Sequence, residues 1–266
     1  MTDFHIHTSF CDGKDTPEVI VQTAIARGFT ALGLSGHGST TFDPAYCMTK
    51  KSTVEYRREI QRLKEAYKGE ISLFCGIEQD YFGDVPEGEF DYKIGSVHYL
   101  LENGVYHSVD SSAEGFAQLL EDVYGGDYDA LAEAYFALVG NVLAVTGADI
   151  IGHFDLITKF SERMELKVTE RYRNAACAAI DKLIPYGKPF EINVGAMTRG
   201  YRTTPYPSAA ILREIQKRGG SIILSGDCHN AAWLGNFLPE AAALAKECGF
   251  THALTLTADG FVPYTL

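Results

Sequence analysis

Six of the eight histidines in this chain stand where a short apolar run gives way to polar residues. His5 and His7 form a His-x-His within the run Phe4 to His7. In an extended strand that spacing puts both imidazoles on one face, where two rings can chelate one ion. The pattern is weak alone and gains weight from its company. His37 follows the run Ala31 to Ser35, Glu78 ends Ile71 to Glu78, and His98 ends Lys93 to His98. His153 ends Asp149 to His153, Asp227-Cys228-His229 follows Ser221 to Ser225, and Asp12 lies between the first run and the first helix. Only His107 and His252 fall elsewhere. Any one of these histidines is more simply read as a core or surface residue. Six in equivalent positions, with three carboxylates, point instead to metal binding. Imidazole and carboxylate without thiolate suit Zn, Mn or Fe. Nine donors exceed the roughly four that one zinc ion takes, so two or three divalent ions with a bridging carboxylate are expected. Three dications against three carboxylates leave a charge of about +3, which favours a phosphate dianion.

The elements that must carry these residues are legible. Seven short apolar runs, the six named above and Pro189 to Val194, read as strands, with a weaker eighth at Ala253 to Thr257. Helical stretches follow most of them, the pattern of a parallel sheet buried on both faces. Thr16-Pro17-Glu18 reads as an N-cap, a first-turn proline and a first-turn acid, and Gly28 offers the stop. Further helices are expected over Thr53 to Tyr67, Ser112 to Tyr124, Asp129 to Thr146, Val168 to Ile184, Ser208 to Lys217 and Pro239 to Cys248. A chain of 266 residues without linker or repeat suits one α/β barrel domain spanning 1–266. In such a barrel the C-terminal strand ends meet, so residues as distant as His5 and His229 become neighbours. Two segments, Gly38 to Ser52 and Leu100 to Ala148, are expected to wall a substrate pocket over that rim.

Composition narrows the function. Lys plus Arg is 23 and Asp plus Glu is 35, a net charge of 23 − 35 = −12. Such a surface disfavours nucleic acid as a partner. The six cysteines contain no Cys-x-x-Cys pair and read as small buried residues rather than a disulfide framework. Strand alternation turns Cys228 away from the face of its neighbours. No leader-like start and no span of roughly 18 apolar residues is evident, so a cytoplasmic protein without a membrane partner is expected. Gly33 to Gly38 is glycine-rich but ends in His37 rather than opening a helix, unlike a dinucleotide fingerprint. Ser35 and Ser225 lack the context of a nucleophile elbow.

The nine residues His5, His7, Asp12, His37, Glu78, His98, His153, Asp227 and His229 resemble the metal ligands of the polymerase-and-histidinol-phosphatase (PHP) superfamily. The stretches FCDGKDTPE, GLSGH, FDPAYCM, GIEQDY, DYKIGSVHYL and IGHFDL are similar to its stand-alone histidinol-phosphatase branch. The resemblance implies a distorted seven-stranded, TIM-like (β/α) barrel and a trinuclear site. It also implies a partition, with His5, His7, Glu78 and Asp227 on one ion and Asp12, His37 and His229 on a second. Glu78, His98 and His153 would take the third, with Glu78 bridging. Many superfamily members carry Asp immediately before the residue matching His37. This chain has Gly36 there, so another group must orient His37.

The reaction so implied is hydrolysis of the small phosphomonoester L-histidinol phosphate to L-histidinol and phosphate, a step of histidine biosynthesis. A metal-bridging hydroxide would attack phosphorus in line. Glu78, Asp227, His229 and Arg199 are the expected catalytic groups. Arg199 and Lys159 are candidate phosphate contacts, and Asp43, Tyr46 and Asp80 are candidate pocket residues. Acidic or aromatic groups would suit the cationic end of that substrate. The alternatives are a PHP phosphoesterase for another small phosphomonoester or a nucleotide, and a structural PHP module without activity. The complete set of nine donors argues against the last.

Overall fold

The computed structural model describes residues 1–266. Eleven strands are present: β1 Thr2–Asp3, β2 Ala31–Leu34, β3 Ser72–Asp80, β4 Tyr92–Ser96, β5 Tyr99–Glu102, β6 Val105–Ser108, β7 Ile150–Ile151, β8 Phe190–Asn193, β9 Ile222–Ser225, β10 His252–Thr257 and β11 Gly260–Thr265. The main sheet runs in the order β1, β2, β3, β4, β7, β8, β9, β10, β11. Every pairing from β1 to β10 is parallel, and β10–β11 is antiparallel. A bridge between Ile6 and Cys228 joins the two flanks of the seven strands β1 to β4 and β7 to β9 at their C-terminal rim. There the His7 amide donates to the Cys228 carbonyl (2.9 Å) and the Cys228 amide to the His5 carbonyl (3.1 Å). The result is the expected distorted α/β barrel, joined at the rim.

The first strand departs from expectation. It stops at Asp3 rather than running from Phe4 to His7, because the Asp3 carboxylate takes the amides of His5 and Gly226 (3.1 and 3.0 Å) in place of a ladder. The expected eighth run is present as β10, which touches β9 at Leu254 and forms a hairpin with β11 through six residue pairs. Within the segment Leu100 to Ala148, which carries α-helices as expected over Ser112 to Tyr124 and from Asp129 onward, β5 and β6 form a separate hairpin ahead of them.

The helices are α1 Pro17–Ala26, α2 Lys50–Ala66, α3 Ala113–Tyr124, α4 Tyr128–Val139, α5 Val142–Thr146, α6 Glu170–Leu183, α7 Gly195–Thr198, α8 Ala209–Lys217 and α9 Leu238–Glu247. Their starts obey capping chemistry. The side chains of Thr16, Thr49, Ser112, Asp127 and Thr169 each accept a backbone amide of the first turn. The single helix expected over Asp129 to Thr146 divides at Gly140-Asn141, where the Asn141 amide side chain bonds back to the Ala137 carbonyl (2.9 Å). No helix is long and apolar enough to cross a membrane.

Burial separates into two cores. The larger fills the layer between sheet and helices, with Leu32, Leu34, Ile77, Ile192 and Leu224 from the strands. The smaller is the lower barrel interior: Phe4, Ala31, Tyr92, Ile94, Ile150, Ile223 and Leu256. Tyr92 fits there because β2 and β3 carry glycine beside its ring; a Cβ on Gly33 or Gly76 would lie 2.2 Å from it. Its hydroxyl donates to the Phe4 carbonyl, so burial leaves that group satisfied. Above this apolar plug the interior turns polar.

Candidate metal centre

Glu78, near the end of β3 and 1% exposed, is the hub of the upper interior. Its Oε2 lies 3.2 Å from His5 Nε2, 3.4 Å from His7 Nε2 and 3.0 Å from His37 Nδ1. Its Oε1 lies 2.9 Å from His153 Nε2 and 3.3 Å from His98 Nε2, and accepts the Ser96 hydroxyl at 2.6 Å. Toward the rim, Asp12 Oδ2 is 3.1 Å from His229 Nε2 and 3.7 Å from His37 Nε2, while Oδ1 is 3.3 Å from His7 Nδ1. Asp227 Oδ1 is 3.4 Å from His7 Nε2 and 3.8 Å from His5 Nε2. All nine residues singled out in the sequence therefore converge, from segments as far apart as residues 5 and 229. His5-His7-Asp227, His7-Asp12-His37-His229 and His37-Glu78-His98 each bring their donor atoms within 4.8 Å of one another.

Residues behind this layer hold it in place. His5 Nδ1 lies 2.5 Å from Glu191 Oε1, which turns Nε2 toward Glu78. The other Glu191 oxygen accepts the His153 amide (2.8 Å) and the Asn193 side chain (2.9 Å). Glu191 was not among the sequence candidates. Its signal was a lone acid inside the apolar run Phe190 to Val194, on the face of β8 that alternation turns inward. Asp80 is not a pocket residue. One pleat beyond Glu78 and 3% exposed, its carboxylate takes the His98 amide (3.0 Å) and lies 3.1 Å from His98 Nδ1. Carboxylate-backed imidazoles of this kind are the usual support of metal-binding histidines. Beside His37, where Gly36 offers no side chain, the Tyr46 ring packs edge-on at 4.8 Å. Cys228 is buried and faces the outer core, and burial pushes its thiol up to about 12.

The electrostatics call for cations. Burial opposes charge on His5, but Glu191, Glu78 and Asp227 outweigh it and raise its pKa well above the ordinary imidazole range. Asp12 and Asp227 do the same for His7, and Glu78 and Asp80 for His98, again against burial. Glu78 is held well below the usual carboxylate range despite burial, by His37, His5 and His98. Asp227 is held there by Arg199 and His5. His5 Nε2 and His7 Nε2 are buried with no hydrogen-bond partner. Unpaired inward nitrogens around shared carboxylates fit divalent ions, which would replace the protons this field otherwise attracts.

Asp227 also has left-handed backbone (φ 48°), a strained conformation for a residue with a side chain, found here at the turn after β9. Arg199, just past α7, donates to Asp227 Oδ2 (3.0 Å), and its Nη1 lies 2.9 Å from His229 Nδ1. A cavity of about 340 Å³ opens over the cluster, walled by Arg199, Lys159, Asp43, Tyr46, Tyr99 and Asp110. Both segments expected to wall the pocket contribute to it. Lys159 lines it but is engaged: Nζ donates to the Asp110 carbonyl (2.7 Å) and carboxylate (3.2 Å).

The PHP domain model matches residues 3–195, a span that holds seven of the nine converging residues. This chain belongs to the PHP domain family. It is 25% identical over 256 residues to the histidinol-phosphatase of Bacillus subtilis, covering 88% of this chain and 95% of that one. To a probable histidinol-phosphatase of Deinococcus radiodurans it is 28% identical over 263 residues, covering 94% of each. The solved histidinol phosphate phosphatase of Lactococcus lactis, complexed with Zn, L-histidinol and phosphate, superposes with a TM-score of 0.73 at 22% identity over 98% of each chain. At that identity the likeness speaks for the fold. The rim and the hub of the centre thus belong to one PHP barrel.

Proposed function

We propose that this PHP chain is a metal-dependent histidinol-phosphatase, hydrolysing the phosphomonoester L-histidinol phosphate to L-histidinol and phosphate. The observation that carries the chemistry is Glu78. One buried carboxylate faces histidines on both oxygens, His5 and His7 on one side, His98 and His153 on the other. That is the arrangement of a bridging ligand, and it supports a cluster of two or three ions held by the nine residues. Divalent ions, when bound, lower the pKa of water and neutralise phosphoryl charge.

The protein's own groups do the rest. Glu191 and Asp80 fix the rings of His5 and His98, so the inward nitrogens are presented without rearrangement. Arg199 projects into the cavity from its anchor on Asp227 and supplies fixed positive charge for a phosphoryl oxygen. Lys159 reaches the same cavity and restrains the Asp110 turn, which makes it a wall residue rather than a free phosphate contact. The two named relatives that match nearly the whole chain support the choice of substrate.

Steady-state turnover of L-histidinol phosphate against a panel of nucleoside monophosphates tests this function. A kcat/KM for histidinol phosphate at least about tenfold above the panel is expected, a margin equal to one specific polar contact. Turnover no better than the panel average would remove the substrate assignment.

A further inference from the structure

Five carboxylates line the cavity, and four are committed. Asp12, Glu78 and Asp227 face the histidine cluster, and Asp110 is paired with Lys159 at 3.2 Å. The fifth, Asp43, has no cationic side chain within ion-pair reach: its carboxylate accepts the Tyr99 hydroxyl (2.7 Å) and, more weakly, the Ala45 amide (3.4 Å). A carboxylate that faces a cavity without an ion-pair partner is free to take a cationic group of a ligand.

The group is held in place. The Thr40 hydroxyl donates to the Asp43 carbonyl (2.6 Å). Next to it, Phe42 stacks on Tyr106 (3.8 Å) and meets Tyr99 edge-on (4.8 Å), pinning the loop to the β5–β6 hairpin. Tyr46 stands between this corner and the histidines: its ring lies 6.2 Å from Tyr99 and 4.8 Å from His37, and its buried hydroxyl has no partner in the protein. One corner of the cavity is therefore a carboxylate flanked by tyrosines, while Arg199 enters the cavity elsewhere, against Asp227 and His229.

Resting on the proposed function, we infer that Asp43, with Tyr99 and Tyr46 beside it, is the subsite for a positively charged group on the substrate's alcohol portion. The cavity is then bipolar. It selects phosphomonoesters that carry an ammonium or imidazolium, because the anionic end meets Arg199 and the cationic end meets a fixed carboxylate and aromatic rings. Nucleotides and phosphomonoesters whose alcohol portion carries no positive charge leave Asp43 without a counter-charge. Tyr99 is a positioning residue here, acting through its hydrogen bond to Asp43.

The test compares wild type, Asp43→Asn and Tyr99→Phe on L-histidinol phosphate and on phenyl phosphate, whose alcohol portion is uncharged, with inhibition by L-histidinol and by inorganic phosphate measured in parallel. Asp43→Asn is expected to lower the ratio of kcat/KM between the two substrates by about tenfold or more, the worth of one charge-assisted contact, mainly through KM. Inhibition by L-histidinol weakens more than inhibition by phosphate. Tyr99→Phe shifts the ratio the same way by a smaller factor. A wild type that prefers histidinol phosphate, with that preference kept in Asp43→Asn, overturns the subsite alone. A wild type with no preference overturns the proposed function and the subsite with it.

Discussion

The two halves of the barrel interior are built to opposite rules. Below, Phe4, Ala31, Tyr92, Ile94, Ile150, Ile223 and Leu256 make an apolar plug whose one polar atom, the Tyr92 hydroxyl, is hydrogen-bonded. Above, on the same strands, Glu78 and Ser96 replace the apolar side chains, five histidines surround one carboxylate, and two inward imidazole nitrogens have no partner. Strand alternation serves both halves: on β4, Tyr92, Ile94 and Ser96 share the inward face. The lower half stabilises and needs nothing added. The upper half gathers mutually attracting imidazoles and carboxylates around inward nitrogens without hydrogen-bond partners, an arrangement that cations would complete.

The sharpest way to break this contrast is Glu78→Gln. The amide keeps the shape but lacks the charge of the proposed bridging carboxylate, so activity should fall by about a thousandfold or more, with reduced metal content. The far-UV circular dichroism spectrum should persist. Full activity would contradict the proposed bridging role. The mirror experiment is Ile94→Ala in the plug, expected to cost about 2–5 kcal/mol in denaturant unfolding while kcat of the folded enzyme stays near wild type. A collapse of kcat without loss of stability would show that the halves are not separable.

Glu191→Gln probes the layer between them. Losing the carboxylate behind His5 should weaken metal affinity about 10- to 100-fold, read by competition with a chromophoric chelator. Unchanged affinity would reduce Glu191 to a packing role. The smallest effect is a pH slope of opposite sign with and without ions. In metal-stripped protein, His5, His7 and His98 have raised pKa values. Their contribution is full below the unfolded value of about 6.5 and is lost as pH rises through the folded values. Glu78 and Asp227 are lowered, so theirs is present above the unfolded value of about 4 and is lost in acid. Stripped protein should therefore lose thermal stability from pH 6 to 8. Metal-loaded protein should gain it, because the ligands must shed protons to bind. Parallel slopes would contradict the exchange of protons for cations.

Much of this was legible in the residues. Buried parallel strands leave apolar runs, and imidazoles at their ends declare themselves by type. Other features were written more faintly. The β5–β6 hairpin carries Asn103-Gly104 at its turn, both with positive φ (52° and 80°), a signal hidden inside a mostly helical stretch. In β11, Pro263 and half-exposed side chains conceal an edge strand. Asp80 looked like a pocket residue because its backing of His98 depends on a fold-made distance, and sequence spacing carries no such distance.

Anomalous diffraction from crystals of protein purified without chelator tests the centre most directly. Two or three metal peaks are expected within bonding reach of the nine residues, with peaks on both oxygens of Glu78. Electron density without metal at Glu78, in a protein that still cleaves L-histidinol phosphate with chelator present, would contradict it.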